Sequence, residues 1–227
     1  MTLSIIVPAH NEGKRIRGTL LDYLRYKWKY KIDIFVVLNG CTDNTLEVVK
    51  GIKDKRLKYI VLREASKGAA LIEGFKKAKG DLISYVDADG ATEPRELERL
   101  ANEVNGYDGV IGSRWLKGAR LGIKQPVLRR IASRGFNLIV RVFFGLRFKD
   151  TQAGVKIFRK KAIKSILKKL MKTNWAIDVS ILYPMVKSGY RIKEAATNWQ
   201  DKKGSKLKLY RAIPNMLWAL IKLRIRN

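Results

Sequence analysis

Short apolar runs recur along the chain, each followed by a polar turn and then by a stretch with helical spacing. Residues 3–8 (LSIIVP) read as a short buried strand, and 32–38 (IDIFVVL), 57–62 (LKYIVL), 81–86 (DLISYV) and 108–113 (DGVIGS) as further strands. A first helix is expected to run from the turn AHNEG to about residue 28. A second should start at Thr42, with its hydroxyl or Asp43 near the N-cap, and a third should cover SKGAALIEGFKKAKG and be closed by Gly80. This alternation predicts an α/β fold, a mostly parallel sheet with helices on both faces. After residue 114 the rhythm changes: 125–146 is helical with apolar and basic residues mixed, AGVKIFR is a strand, WAIDVSILYPMVKSG a helix and YRIKEAATNW a strand. In the tail, Tyr210, Ile213, Leu217, Leu220 and Ile221 recur at helical spacing among Lys208, Arg211, Lys222, Arg224 and Arg226. No repeat or low-complexity linker intervenes. One domain over 1–206, followed by an amphipathic basic helical extension over 207–227, is the expected organisation.

In parallel sheets of this kind, ligands bind at the carboxyl ends of the strands. Four of the predicted strands end there in polar residues: His10–Glu12, Asn39–Asp43, Asp87–Asp89 and Ser113–Arg114. The third group, in YVDADGATEP, is the most informative. Two carboxylates separated by Ala88 and followed by Gly90 can converge once the chain leaves the strand, and unaided they would repel until one took up a proton. Mg²⁺ or Mn²⁺ relieves that repulsion and shares its remaining positions with phosphate oxygens, so Asp87 and Asp89 suggest a metal–diphosphate site. A solvated turn or a helix cap is the plain alternative for the same four residues.

Charge narrows the partners. The 227 residues carry 48 Lys and Arg against 20 Asp and Glu, a net charge of +28, which points to polyanions: nucleic acid, an anionic membrane surface or phosphorylated substrates. The single cysteine, Cys41, excludes an intramolecular disulfide. No run of 18 apolar residues predicts a membrane-spanning helix, and no leader-like stretch precedes LSIIVPA, so no signal peptide is expected. One His, one Cys and abundant Lys, Arg and Ile lean toward a thermophilic source.

The chain also carries, in order, SIIVPAHNEGKRI, NGCTDNT, SKGAALIEGFKKAKGD, DADGAT, GSR, RRIASRGFN, KDTQAGVKIFRKKA, WAIDVSIL and NWQDKKGSK. Over about residues 3–206 these motifs resemble the family-two glycosyltransferases of GT-A (Rossmann-like) fold. The likeness is greatest to dolichyl-phosphate β-glucosyltransferases, with dolichyl-phosphate mannose synthases next. The resemblance implies an inverting transfer of a hexose, with glucose from UDP-glucose favoured, to a polyprenyl phosphate. It implies that Asp87 faces the nucleotide and the metal, with Asp89 the principal ligand. Pro8, Ala9, Asn11, Glu12, Asn39, Asp43, Lys67, Gly68 and Ala88 would line the nucleotide sugar. Arg114, Arg129 and Ser133 would hold the lipid phosphate, with Arg suited to bidentate contacts. Ser205 and Lys206 would belong to a loop over the diphosphate. Asp150, Thr151, Gln152 and Trp175 would position sugar or acceptor. Asp178 stands where related transferases acting on hydroxyl acceptors carry a base; it either orients the sugar or caps a helix beside Trp175.

The chain departs from the resemblance in one place: relatives commonly carry two consecutive Asp where Leu38 and Asn39 stand here, which leaves the nucleotide open. Mannose or N-acetylhexosamine transfer to the same lipid is the alternative reading. A nucleic-acid binder is the rival class, but no helix-turn-helix, zinc-ligand or ribonucleoprotein signature supports it. A lipid acceptor also accounts for the charge, because 125–146 and 207–226 mix apolar residues with cations as an interfacial helix would. The expected location is therefore peripheral, on the cytoplasmic face of a membrane, although the tail could instead pack on the protein's own core.

Overall fold

The computed structural model describes residues 1–122, 127–174, 176–199 and 209–226. The first half alternates strand and helix: β1 (Thr2–Ala9), α1 (Ile16–Arg25), β2 (Lys31–Asn39), α2 (Thr45–Lys50), β3 (Leu57–Leu62), α3 (Lys67–Lys77), β4 (Leu82–Val86), α4 (Pro94–Asn102) and β5 (Gly109–Ser113). The second half adds β6 (Arg120–Leu121), α5 (Val127–Phe144), β7 (Val155–Arg159), α6 (Lys160–Ser165), α7 (Ile177–Lys187), β8 (Ile192–Ala196), β9 (Asn198–Trp199) and α8 (Leu209–Arg226).

Seven strands form the main sheet in the order β3-β2-β1-β4-β7-β5-β8, and β6 pairs with β9 in a small second sheet. Every pairing in the main sheet is parallel except those of β7, which runs antiparallel between β4 and β5. Both faces are covered, as the near-continuous apolar strands require. On one side Leu3, Ile5, Val7, Ile34 and Val36 pack with Leu20, Tyr23, Leu97 and Leu100 from α1 and α4. On the other, Ile6, Phe35, Ile83 and Phe158 pack with Leu71 and Phe75 of α3 and with Ile181 and Leu182 of α7.

Several element boundaries differ from the sequence expectation. The first helix ends at Arg25, because Tyr26 turns to an extended ψ of 140°. The second starts at Thr45 and not at Thr42: the Thr42 amide donates to Asn11 Oδ1 at 2.7 Å, and Asp43 Oδ1 accepts from the Thr45 amide at 3.1 Å. The third stops at Lys77, with Ala78 extended, before it reaches Gly80. Gly80 is there for close approach, since a Cβ on it would lie 2.7 Å from the Ser4 nitrogen. The strand expected over 190–199 is split into β8 and β9.

The tail helix belongs partly to the core. Met216, Leu220 and Leu223 of α8 are buried in the cluster that includes Phe136, Val140 and Phe144 of α5. Trp218, Ile221 and Ile225, on its other side, are exposed.

Candidate active site

The parallel strands β1, β2 and β4 end at one edge of the sheet, and β7 runs against them, so its beginning reaches that same edge. Val155 lies opposite Val86, which carries Asp150–Gly154 to the carboxylates that follow β4. The turn after β4 is pinned to α1: Thr19 Oγ1 donates to the Ala88 carbonyl at 3.0 Å, and Tyr23 OH to that of Thr92 at 2.9 Å. Gly90, at φ 74°, takes the left-handed conformation that turns the chain just after Asp89. Asp87 Oδ1 accepts from Lys67 Nζ at 2.7 Å, and Asp89 Oδ1 accepts from the Ala91 amide at 3.0 Å. On the far side of Asp87, a Cβ placed on Gly154 would lie only 2.0 Å from Oδ2, so glycine leaves the room this oxygen occupies.

Burial and the neighbouring Asp87 raise the Asp89 carboxyl above its usual range, against the Ala91 amide and Arg15. Such crowding of anions is what a divalent cation relieves. Among the described residues no third His, Cys, Asp or Glu joins the pair in a metal-binding group. The two carboxylates could offer hard oxygen ligands to a divalent cation such as Mg²⁺ or Mn²⁺, with the rest of its shell left to phosphate and water. Glu12, also near Asp89, is held by Arg15 through two hydrogen bonds of 2.7 Å.

The ends of β1 and β2 form the adjoining wall. Pro8 and Ala9 are buried in β1. Asn39 donates through Nδ2 to the Ala9 carbonyl at 2.9 Å, while the Asn39 carbonyl lies 2.7 Å from His10 Nδ1. Asn11 holds a left-handed φ of 55°, and the Glu12 amide donates to Thr45 Oγ1 at 2.8 Å. Asp43 accepts from the Gly13 amide at 3.1 Å as well as from Thr45, so its carboxylate fastens two loops together. Lys67 and Gly68 lie in the first turn of α3. Gly68 is needed for packing, because a Cβ on it would sit 2.4 Å from the Thr173 carbonyl oxygen.

The opposite wall is built around one ion pair. Arg114 grips Asp150 through Nε at 2.7 Å, Nη2 at 3.0 Å and its backbone amide at 3.0 Å, and stacks over the Trp199 ring at 5.6 Å. Asp150 is wholly buried, and the pair holds Arg114 above its usual range although burial opposes its charge. Thr151 donates to Asn137 Oδ1 from both its amide (2.9 Å) and its hydroxyl (2.7 Å), tying α5 to this edge. The Gln152 amide donates to Asp150 Oδ1 at 3.3 Å. Ser133 Oγ, Trp115 Nε1 and Trp199 Nε1 are buried and find no hydrogen-bond partner among the described residues. The Arg129 side chain, Trp175, Ser205 and Lys206 lie outside the described residues. Asp178, second residue of α7, is buried beside Tyr85 and Lys156, neither of which the sequence reading singled out. A signal existed: in VKIF, period-two alternation puts Lys156 on the same inward face as Phe158, where an unpaired lysine does not belong.

The family model for glycosyl transferase family 2 matches residues 4–167. The chain is a family 2 glycosyltransferase. A dolichyl-phosphate β-glucosyltransferase of Dictyostelium discoideum is 32% identical over 242 residues, spanning 99% of this chain and 74% of its own. Glycosyltransferase AglD of Haloferax volcanii is 29% identical over 94% of this chain, which corresponds to 35% of that longer protein. Among solved structures, glucosyl-3-phosphoglycerate synthase from Mycobacterium tuberculosis, in complex with Mn²⁺ and UDP-glucose, superposes with a TM-score of 0.73 at 15% identity, covering 99% of this chain and 78% of that one. The likeness places this family 2 glycosyltransferase in the GT-A fold, with the strand-edge site in the usual position for α/β enzymes.

Proposed function

We propose that the protein transfers glucose from UDP-glucose to dolichyl or another polyprenyl phosphate, with inversion at the anomeric carbon and with Mg²⁺ or Mn²⁺. The observation that carries this reading is the meeting of Asp87 and Asp89 with Lys67 and the Arg114–Asp150 pair at one strand edge. It is supported by the 32% identity to a dolichyl-phosphate β-glucosyltransferase along nearly the whole chain.

The acceptor is a phosphate monoester, already an anion at neutral pH. One of its oxygens attacks the anomeric carbon, the bond from that carbon to the nucleotide diphosphate breaks, and the bonding pair leaves with UDP. No proton has to be removed from the nucleophile. The metal, held by Asp87 and Asp89, would supply charge stabilisation to the departing diphosphate. The work of this chain's own residues is to gather anions without mutual repulsion. Arg114, Arg129 and Ser133 would receive the acceptor phosphate, and the unpartnered Ser133 Oγ fits that assignment. Pro8, Ala9, Asn11, Glu12, Asn39, Asp43 and Ala88 would bound the nucleotide, Asp150, Thr151, Gln152 and Trp175 would shape the sugar and acceptor side, and Ser205 and Lys206 would close over the diphosphate.

The lipid acceptor implies membrane docking. Among the described residues no helix is long and apolar enough to cross a bilayer. Ile131, Leu138, Val142 and Phe143 of α5 are exposed, as are Trp218, Ile221 and Ile225 of α8, with Arg130, Arg134, Arg141, Lys222 and Arg224 among them. Such a surface would lie in the headgroup region of an anionic leaflet, on the cytoplasmic side where nucleotide sugars are available.

Leu38 and Asn39 stand where relatives commonly carry two Asp, so GDP-mannose is the second donor to test. Offering UDP-glucose, GDP-mannose and UDP-N-acetylglucosamine separately, with dolichyl phosphate in detergent, tests the assignment. Organic-extractable product from UDP-glucose alone is expected; product from GDP-mannose alone would move the protein to the mannosyl alternative. No product from any donor, with folded protein, would overturn the lipid acceptor.

A further inference from the structure

We infer that Lys156 and Tyr85 are positioning residues for hexosyl transfer: together they grip one oxygen of Asp178, so that this carboxylate meets the donor sugar as a fixed acceptor and not as a proton-abstracting base. The inference rests on the proposed reading of the strand edge as a hexosyl-transfer site.

Tyr85 of β4 and Lys156 of β7 are directly opposite in the antiparallel ladder, and both are wholly buried. Lys156 Nζ donates to Asp178 Oδ1 at 2.6 Å and to the Ala153 carbonyl at 2.7 Å, and lies 5.3 Å from the centre of the Tyr85 ring. The Tyr85 hydroxyl donates to the same Oδ1. A buried ion pair is a poor device for stability, because an apolar pair of similar volume does as well or better. Val155, Ile157 and Phe158 show what this strand contains where only packing is at stake. Charge at Lys156 therefore serves Asp178.

The groups facing Asp178 come from four elements: Tyr85 from β4, Lys156 from β7, Lys67 from α3, and Arg114 just beyond β5. Burial alone would raise the Asp178 carboxyl, yet Lys156, Lys67 and the two hydrogen bonds hold it below the usual carboxylate range. A carboxylate stabilised as an anion is a weaker base. The phosphate acceptor needs none. Asp178 Oδ2 makes no hydrogen bond among the described residues, which leaves it to accept from a sugar hydroxyl. Lys67 bonds Asp87 and lies in the field of Asp178, so Asp178 is tied electrostatically to the carboxylate side of the site.

The test compares Lys156→Met, Tyr85→Phe, Asp178→Asn and the double variant Lys156→Met/Asp178→Asn by calorimetric binding of UDP and UDP-glucose with Mn²⁺, and by transfer rate against pH. Wild type should bind UDP-glucose more tightly than UDP. Lys156→Met and Tyr85→Phe should lose that preference while keeping their affinity for UDP, with Tyr85→Phe the milder. In Lys156→Met the rate should fall by about 10²-fold, and its acid limb should move to higher pH as the unsupported carboxylate takes up a proton. If Lys156→Met does not fold, the double variant should, because it leaves no uncompensated buried charge, and it should still lack the preference for UDP-glucose. An unchanged preference in Tyr85→Phe and in the double variant, or no preference in wild type, would overturn the inference. Failure of every donor to give lipid product while wild type prefers UDP-glucose would overturn the functional reading alone.

Discussion

The ammonium of Lys67 sits 2.7 Å from Asp87 Oδ1, and α3 is what holds it there, with the Lys67 amide donating to Asn174 Oδ1 at 2.9 Å. Burial works against the charge of this lysine, but Asp87 and Asp178 outweigh it and push its pKa up to about 12. Lys67 is therefore held in its charged form between Asp87 and Asp178. Lys67→Met should reduce transfer by on the order of 10²-fold, with a weaker affinity for UDP in the presence of Mn²⁺. Circular dichroism should show an unchanged fold. An affinity for UDP equal to wild type would remove Lys67 from the nucleotide site.

Gly154→Ala separates geometry from stability. The added methyl would meet Asp87 Oδ2 at 2.0 Å and the Trp199 ring at 2.9 Å. The flexible carboxylate yields more easily than the ring, so Asp87 is displaced from its present place. Transfer should fall by at least tenfold, since an ångström at a reacting centre is costly, while the melting temperature changes little. A rate within twofold of wild type would show that Asp87 need not occupy this position.

Glu96 carries a pH prediction. It is buried in α4 and accepts from Thr197 Oγ1 at 3.0 Å, from the Asn198 amide at 2.9 Å and from Arg99 at 2.7 Å, joining α4 to the end of β8 and the start of β9. Burial would raise its carboxyl, but these donors hold it below the usual range. A group depressed on folding contributes stability above its unfolded pKa and loses it as pH falls through the folded one. Glu96→Gln should cost about 1–3 kcal/mol at neutral pH. Denaturant titrations should show the difference from wild type shrinking as the pH is lowered through the carboxylate range.

How much of this was legible in advance follows from which signals are local. The strands of the first half and the Asp87–Asp89 turn announce themselves through short apolar runs and a polar stop, and lie where expected. The helix over Pro94–Asn102 was not among the predicted ones, although Pro94 in its first turn marks its start. Its buried Glu96 and Glu98 hid the apolar stripe of Leu97, Leu100 and Ala101. The insertion of β7 between β4 and β5 is a long-range pairing that periodicity cannot report. The Lys156–Asp178 and Arg114–Asp150 contacts depend on that insertion, so the buried carboxylate partner of Arg114 could not be read from the sequence.

The exposed faces of α5 and α8 predict a membrane phenotype. Leu138→Ser with Ile221→Ser removes two exposed apolar anchors, each worth about 0.8 kcal/mol per buried CH₂ at the interface. Sedimentation with anionic liposomes should fall at least tenfold. Transfer to a long-chain acceptor in liposomes should suffer more than transfer to a short-chain acceptor in solution. Equal binding of wild type and variant would move the docking surface elsewhere.

The most direct test of the central claim is glucose transfer from radiolabelled UDP-glucose to dolichyl phosphate in liposomes, with Mn²⁺, with EDTA, and with Mn²⁺ restored in excess of the chelator. Label should enter the organic phase with the metal, fall to background in EDTA and return on restoration, and Asp89→Asn should stay near background throughout. Undiminished transfer in EDTA, or full activity in Asp89→Asn, would contradict a cation held by Asp87 and Asp89 at the heart of the reaction.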